Sequence, residues 1–289
     1  GRYEDAIATN RRSVLADEYF VEQWGDRPLP DYGTYFLSAT NHRGHARAFI
    51  HWAGVLQGNL ALALEIASPL AASATPEMLD RGSSLRNVSV EWMTLKAFGQ
   101  WEQILALPAQ PDTRPFLQGT LNHIRGAALA ATGDIAGAEA ELAALNTVLQ
   151  NPALTTQRAA VNSADRILAI AQHSLAGEIA NAKGDFATAI SEFTQAVTLQ
   201  DQLRYMEPPD WIQSMRLFLG QAYLNAGQPA EAEAVFLEDL VLLQENGWAL
   251  RGLTDALEAQ GKTADAALAR ERFEEAWEQA DIELTKAHF

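Results

Sequence analysis

The sequence predicts an all-α array of stacked helix–turn–helix units, and three observations carry that expectation. A phrase recurs in which a glycine is followed five residues later by an alanine that opens an alanine-rich run. It occurs at Gly1/Ala6, Gly58/Ala63, Gly133/Ala138, Gly184/Ala189, Gly227/Ala232 and Gly261/Ala266, and at Gly99 with Ile104 in the alanine place. The intervals from Gly99 to Gly133 and from Gly227 to Gly261 are each 34 residues, a period of helical-hairpin repeats. After Ala187 the apolar places are Ala189, Ile190, Phe193, Ala196 and Val197. That three-and-four spacing puts one stripe on one helix face.

The elements follow in order. Residues 1–20 read as a single orphan helix with an apolar stripe that includes Ala6 and Leu15. Its preceding partner is missing, so the chain is expected to be the C-terminal part of a longer protein, with its upstream part as a packing partner. Helix pairs are expected over 38–73, 80–108, 115–150, 160–200, 210–245 and 248–285. In each, the glycine ends the first helix by taking a left-handed conformation at no steric cost. No pair can bury its stripe alone, so stability comes from stacking neighbours. Two stretches exceed the period. The extra residues near 150–165 imply a longer helix or a preceding loop. Those near 200–210 contain Pro208 and Pro209, which cannot continue a helix; Asp210 is expected to cap the next one. The stretch 271–289 reads as a capping helix with Phe273 and Trp277 on its apolar face, and His288 as terminal and mobile.

Segments 177–197 and 219–236 resemble tetratricopeptide repeats. Gly126, Gly177 and Gly220 stand seven residues before turn glycines, where that family has a small residue in helix A. Phe193 and Phe236 stand at its helix B aromatic, and Tyr223 at its helix A aromatic. The match is clear over about 115–275. His51 and Trp92 stand where the small helix A residue belongs, so the repeats at Gly58 and Gly99 rest on periodicity. The resemblance implies a right-handed α-solenoid that holds a protein or peptide in its concave groove without catalysis.

Composition sets bounds. The 289 residues are 48% hydrophobic, enough for a sizeable core, and no run suits a membrane span. There is no cysteine, which excludes disulfides, thiolate metal sites and cysteine nucleophiles and fits either the cytoplasm or the periplasm. The net charge is −16, and no basic face marks a nucleic-acid partner. Gly261-Lys262-Thr263 lacks the glycine and strand of a phosphate-binding loop, and Asn87-Val88-Ser89 is a sequon within a predicted helix.

The densest unusual segment holds His42, His45 and His51. His42 and His45 share a helix face. His51 is expected to be buried with a hydrogen-bond partner. The family's register places His45, His123, Glu178 and Gln221 on the groove surface, with His42 one turn away and Trp52, Tyr205 and Trp211 near by. Polar groups converging on an aromatic-rimmed concavity make a binding site. The main expectation is therefore a protein, peptide or small ligand in the groove. The alternative is zinc or copper on His42, His45 and His123, with Glu178 as a further ligand or orienting group and chemistry attached. A third is a purely structural scaffold.

Overall fold

A computed structural model describes residues 1–25, 39–80, 85–108 and 114–289. Among these residues it contains fourteen α-helices and no strand. The helices are α1 (Tyr3–Trp24), α2 (Ala39–Leu56), α3 (Leu60–Ala72), α4 (Pro76–Asp80), α5 (Leu85–Ala97), α6 (Trp101–Ala106) and α7 (Pro115–Thr132). They continue as α8 (Ile135–Val148), α9 (Ala164–Ala182), α10 (Phe186–Asp201), α11 (Met215–Asn225), α12 (Pro229–Leu242), α13 (Gly247–Ala259) and α14 (Thr263–Ala276). None is long and apolar enough to cross a membrane.

The helices pack in adjacent pairs: α2 on α3, α5 on α6, α7 on α8, α9 on α10, α11 on α12 and α13 on α14. The recurring phrase explains the pairing. Gly58, Gly99, Gly133, Gly184, Gly227 and Gly261 all adopt positive φ, between 63° and 91°. At Gly133 and Gly184 an aspartate follows, and Asp134 and Asp185 accept the Gly137 and Thr188 N–H groups at 2.9 and 3.1 Å. One residue thus stops the first helix and the next starts the second. The residue five beyond each glycine is sealed in the crossing. Ala63, Ile104, Ala138, Ala189 and Ala232 are wholly buried, and Ala266 nearly so. Gly177 and Gly220 admit the Phe193 and Phe236 rings where a Cβ would otherwise stand.

Several expectations need correction. Leu15 is 65% exposed; the buried side of α1 carries Ile7, which clusters with Ile50, Ala53 and Leu62. Nor does α1 touch only its sequence neighbour, because the Tyr3 hydroxyl donates to the Gln244 carbonyl at 2.6 Å. Asp210 does not cap α11. Ser214 does, while Asp210 accepts the Val161 and Asn162 N–H groups at 3.2 and 2.8 Å. The excess near 150–165 is a 3₁₀ turn, Pro152–Thr155, and irregular chain before α9. Finally, α14 ends at Ala276, and residues 277–289 are not a helix. They run back across the core: Leu284, Ala287 and His288 are buried.

That last segment joins the two ends of the array. The Trp277 ring lies on Gly58, and the Asp281 carboxylate accepts the Leu60 and Ala61 N–H groups at 2.7 and 2.8 Å. The Trp248 indole donates to the Val55 carbonyl at 2.8 Å. The final helix pair is thereby packed on the turn between α2 and α3.

Candidate functional site

The interior is built from one turn each of α5, α7, α9 and α11. Helix α5 brings Lys96, 3% exposed at the end of an otherwise apolar stretch. Its ammonium lies 3.1 Å from Glu178 Oε1 and 4.6 Å from the centre of the Phe218 ring. Helix α9 brings Glu178 and Ser174, whose hydroxyl donates to Glu178 Oε1 at 2.7 Å. Helix α7 brings His123, wholly buried, with Nε2 3.3 Å from Ser174 Oγ and 3.8 Å from Glu178 Oε1. Because Ser174 spends its proton on Glu178, its oxygen accepts from His123 Nε2–H, which fixes the tautomer. The Trp211 ring packs at 5.5 Å from the imidazole.

Electrostatics follow from burial. Burial alone would raise the Glu178 carboxyl, but Lys96 and the hydrogen bonds from His123 and Ser174 outweigh it and hold it at about 2. Burial lowers the His123 imidazole, against the pull of Glu178. The result is a desolvated carboxylate–ammonium pair with a neutral imidazole beside it.

The segment 282–289 lies over this cluster. Gln221 Oε1 accepts the Ala287 N–H at 3.2 Å. The His288 ring stacks on Phe218 with centroids 4.1 Å apart, and Phe289 meets Trp248 edge-on at 5.9 Å. Gly99 admits the Phe289 side chain, where a Cβ would collide with it. His288 is thus anchored rather than mobile. Burial, and then Lys286, push its imidazole down to about 3. One of the amides that line this face also continues outward. Gln221 donates to Asn225 at 3.1 Å and Asn225 to Asn181 at 2.9 Å.

The sequence-predicted residues therefore divide into three groups. His123, Glu178 and Gln221 share the interior surface. Trp52, Tyr205 and Trp211 line an adjoining open cleft, with Trp211 shared between that cleft and the interior cluster through its packing on His123. His42 and His45 join neither. His42 Nδ1 pairs with Asp17 of α1 at 2.7 Å, and the exposed His45 packs edge-on against Phe49. Among the described residues no three His, Asp or Glu side chains are grouped to hold a metal ion. The zinc or copper set His42, His45 and His123 is not assembled. His42 is claimed by α1, and His123 is buried at a hydrogen-bonded site. His51 is buried as expected, with Nε2 2.8 Å from Thr94 Oγ1.

Lys96, Ser174, Phe218 and Trp248 were not anticipated. Lys96 alone had a legible signal: a lone cation inside the apolar run Trp92–Phe98 is buried only if paired.

No family model matches the chain, and neither a curated protein nor a solved structure matches it.

Proposed function

We propose that this chain is a non-catalytic binding module, a tetratricopeptide-like array whose interior face holds a short non-helical peptide segment. One observation carries the reading. The surface made by Gln221, Phe218, Trp248 and the Lys96–Glu178 pair already holds such a segment, residues 282–289 of the same chain. Its mode of contact is general to peptides. A side-chain amide meets a backbone N–H, and rings meet rings. Nothing in the contact needs the occupant to be covalently joined.

Catalysis is the weaker reading because the polar cluster is largely closed to solvent and its carboxylate is already engaged by Lys96 and Ser174. His123 has no exposed surface, and the Ser174 hydroxyl is engaged by Glu178. A structural role for the last segment is compatible with binding, since a tethered occupant competes at high effective concentration.

The test uses the chain shortened after Asp281, which keeps the Asp281 cap on α3 and the Trp277 ring on Gly58. Once circular dichroism shows helical content retained, a labelled peptide of residues 282–289 is titrated by fluorescence anisotropy. Saturable binding that weakens at least tenfold in Gln221→Ala combined with Phe218→Ala supports the proposal. Absence of saturable binding to a folded shortened chain would sink it.

A further inference from the structure

The histidine-rich start of α2 borders a second site. Gly44, His45, Ala48 and His51 of α2, with Arg86 and Asn87 of α5, line a small cleft of about 230 Å³. That is room for a ligand of a few heavy atoms. The cleft includes neither Gln221, Phe218 nor residues 282–289, so this site and the peptide reading can fail separately.

Two groups of opposite character stand unpaired in its wall. The Thr94 hydroxyl donates to the Val90 carbonyl at 2.7 Å, so toward His51 Nε2, 2.8 Å away, its oxygen accepts. Nε2 therefore carries the ring proton, and Nδ1 is a bare lone pair. That nitrogen makes no hydrogen bond, yet it is not among the sealed polar atoms of the described residues. Burial, and then Arg86, push the imidazole down to about 3, so at neutral pH the ring is uncharged and Nδ1 is an acceptor. Arg86 supplies the complementary donor. Its Nη2 is spent on the Pro208 and Pro209 carbonyls at 3.3 and 3.2 Å, and its sealed Nε faces Asp210 at 3.9 Å. Nη1 has no hydrogen-bond partner among the described residues and is not sealed. The Asn87 amide is open in the same way.

The guanidinium of Arg86 is the one fixed charge among the described residues of this wall. Asp210 offsets part of it, but that carboxylate has no exposed surface and does not line the cleft. A carboxylate is the natural acceptor for a guanidinium and an amide N–H. A plain carboxylate would leave the Nδ1 lone pair unmet or turn an oxygen against it. An ammonium would meet the lone pair, but Arg86 opposes a positive charge there, as it opposes the proton of the imidazole itself. An uncharged hydroxyl meets the lone pair without that repulsion.

We propose that this cleft binds a small α-hydroxy carboxylate. The hydroxyl donates to His51 Nδ1, the carboxylate accepts from Arg86 Nη1 and the Asn87 amide, and the carbon chain lies against Ala48.

The test titrates the intact chain, labelled at the histidine ring nitrogens, with lactate, propionate and alanine. These differ only in the group beside the carboxylate: a hydroxyl, a hydrogen or an ammonium. The chain has six histidines, so the ring signals are few, and proximity to the Thr94 side chain assigns those of His51. Lactate should shift His51 Nδ1 saturably, and propionate and alanine should bind at least tenfold more weakly. Gly44→Leu, which fills the cleft, should abolish the lactate shift. A Cβ at Gly44 meets no atom within 4 Å, and leucine suits a helix better than glycine, so the variant should keep its fold. Ala48→Leu fills the same space from the next turn and gives a second reading. Absence of a saturable shift, propionate or alanine binding as tightly as lactate, or a shift that survives the filled cleft would each overturn the proposal.

Discussion

The Asp281 carboxylate caps a helix that begins 221 residues earlier in the chain, accepting the Leu60 N–H at 2.7 Å and the neighbouring Ala61 N–H at 2.8 Å. A negative group at a helix N-terminus satisfies unpaired donors and meets the positive end of the helix dipole. Asp281→Ala should therefore cost about 1–2 kcal/mol in urea unfolding, and Asp281→Asn clearly less, since asparagine also caps. Equal loss in the two variants would show that the contact does not act as a cap.

Gly58 and Gly133 separate backbone strain from ring closure. Both have positive φ, 71° and 91°, but only Gly58 faces the Trp277 ring; Gly133 faces open space. Alanine at Gly133 should cost about 1 kcal/mol, from strain alone. Alanine at Gly58 should cost about 1–3 kcal/mol more, because Trp277 has to move. Equal melting temperatures for the two variants would remove Trp277 from its place on that turn.

Lys96 and Glu178 form a pair that neither partner can leave singly. Lys96→Met strands a buried carboxylate and should destabilise by about 3–5 kcal/mol. Adding Glu178→Gln to that variant should restore a substantial part of the loss. A double variant no more stable than Lys96→Met alone would show that the two side chains are not coupled.

Acid should unfold the chain through named groups. Burial, aided by Arg86 at His51 and Lys286 at His288, lowers both imidazoles from 6.5 to about 3. The folded state then binds fewer protons than the unfolded chain, so this stability is complete above about 6.5 and is lost as pH falls toward 3. Glu178 moves from 4.5 to about 2, so its contribution is complete above about 4.5 and is lost as pH falls toward 2. Melting temperature against pH should be level above neutrality as far as these groups are concerned, fall below 6.5 and steepen below 4.5. His288→Gln should flatten the first part of that fall.

What the sequence revealed was set by local chemistry. A glycine with no Cβ, an alanine five residues on and an aspartate between them dictate turn, crossing and cap within a few residues. The burial of Ala189 and Ala232 was therefore readable. The burial of His51 was readable for the same reason, since it occupies a helix-packing place. The errors share a different cause. His288, Leu15 and Asp210 were placed by their own neighbourhoods, but their surroundings come from Phe218, the open side of α1 and Asn162. Such partners are fixed only when the array closes on itself, and no spacing rule encodes that closure. His42 was lost to the metal reading in the same way, because Asp17 of α1 takes its ring.

The central claim is that the interior face holds a non-helical peptide segment through Gln221 and Phe218. Amide hydrogen exchange at Ala287 in the intact chain tests it most directly. That N–H is buried and donated to Gln221 Oε1, so it should be protected to a degree comparable with the amides of α11, and Gln221→Ala should speed its exchange at least tenfold. Exchange of Ala287 at the rate of an unstructured peptide, with α11 still protected, would contradict the account.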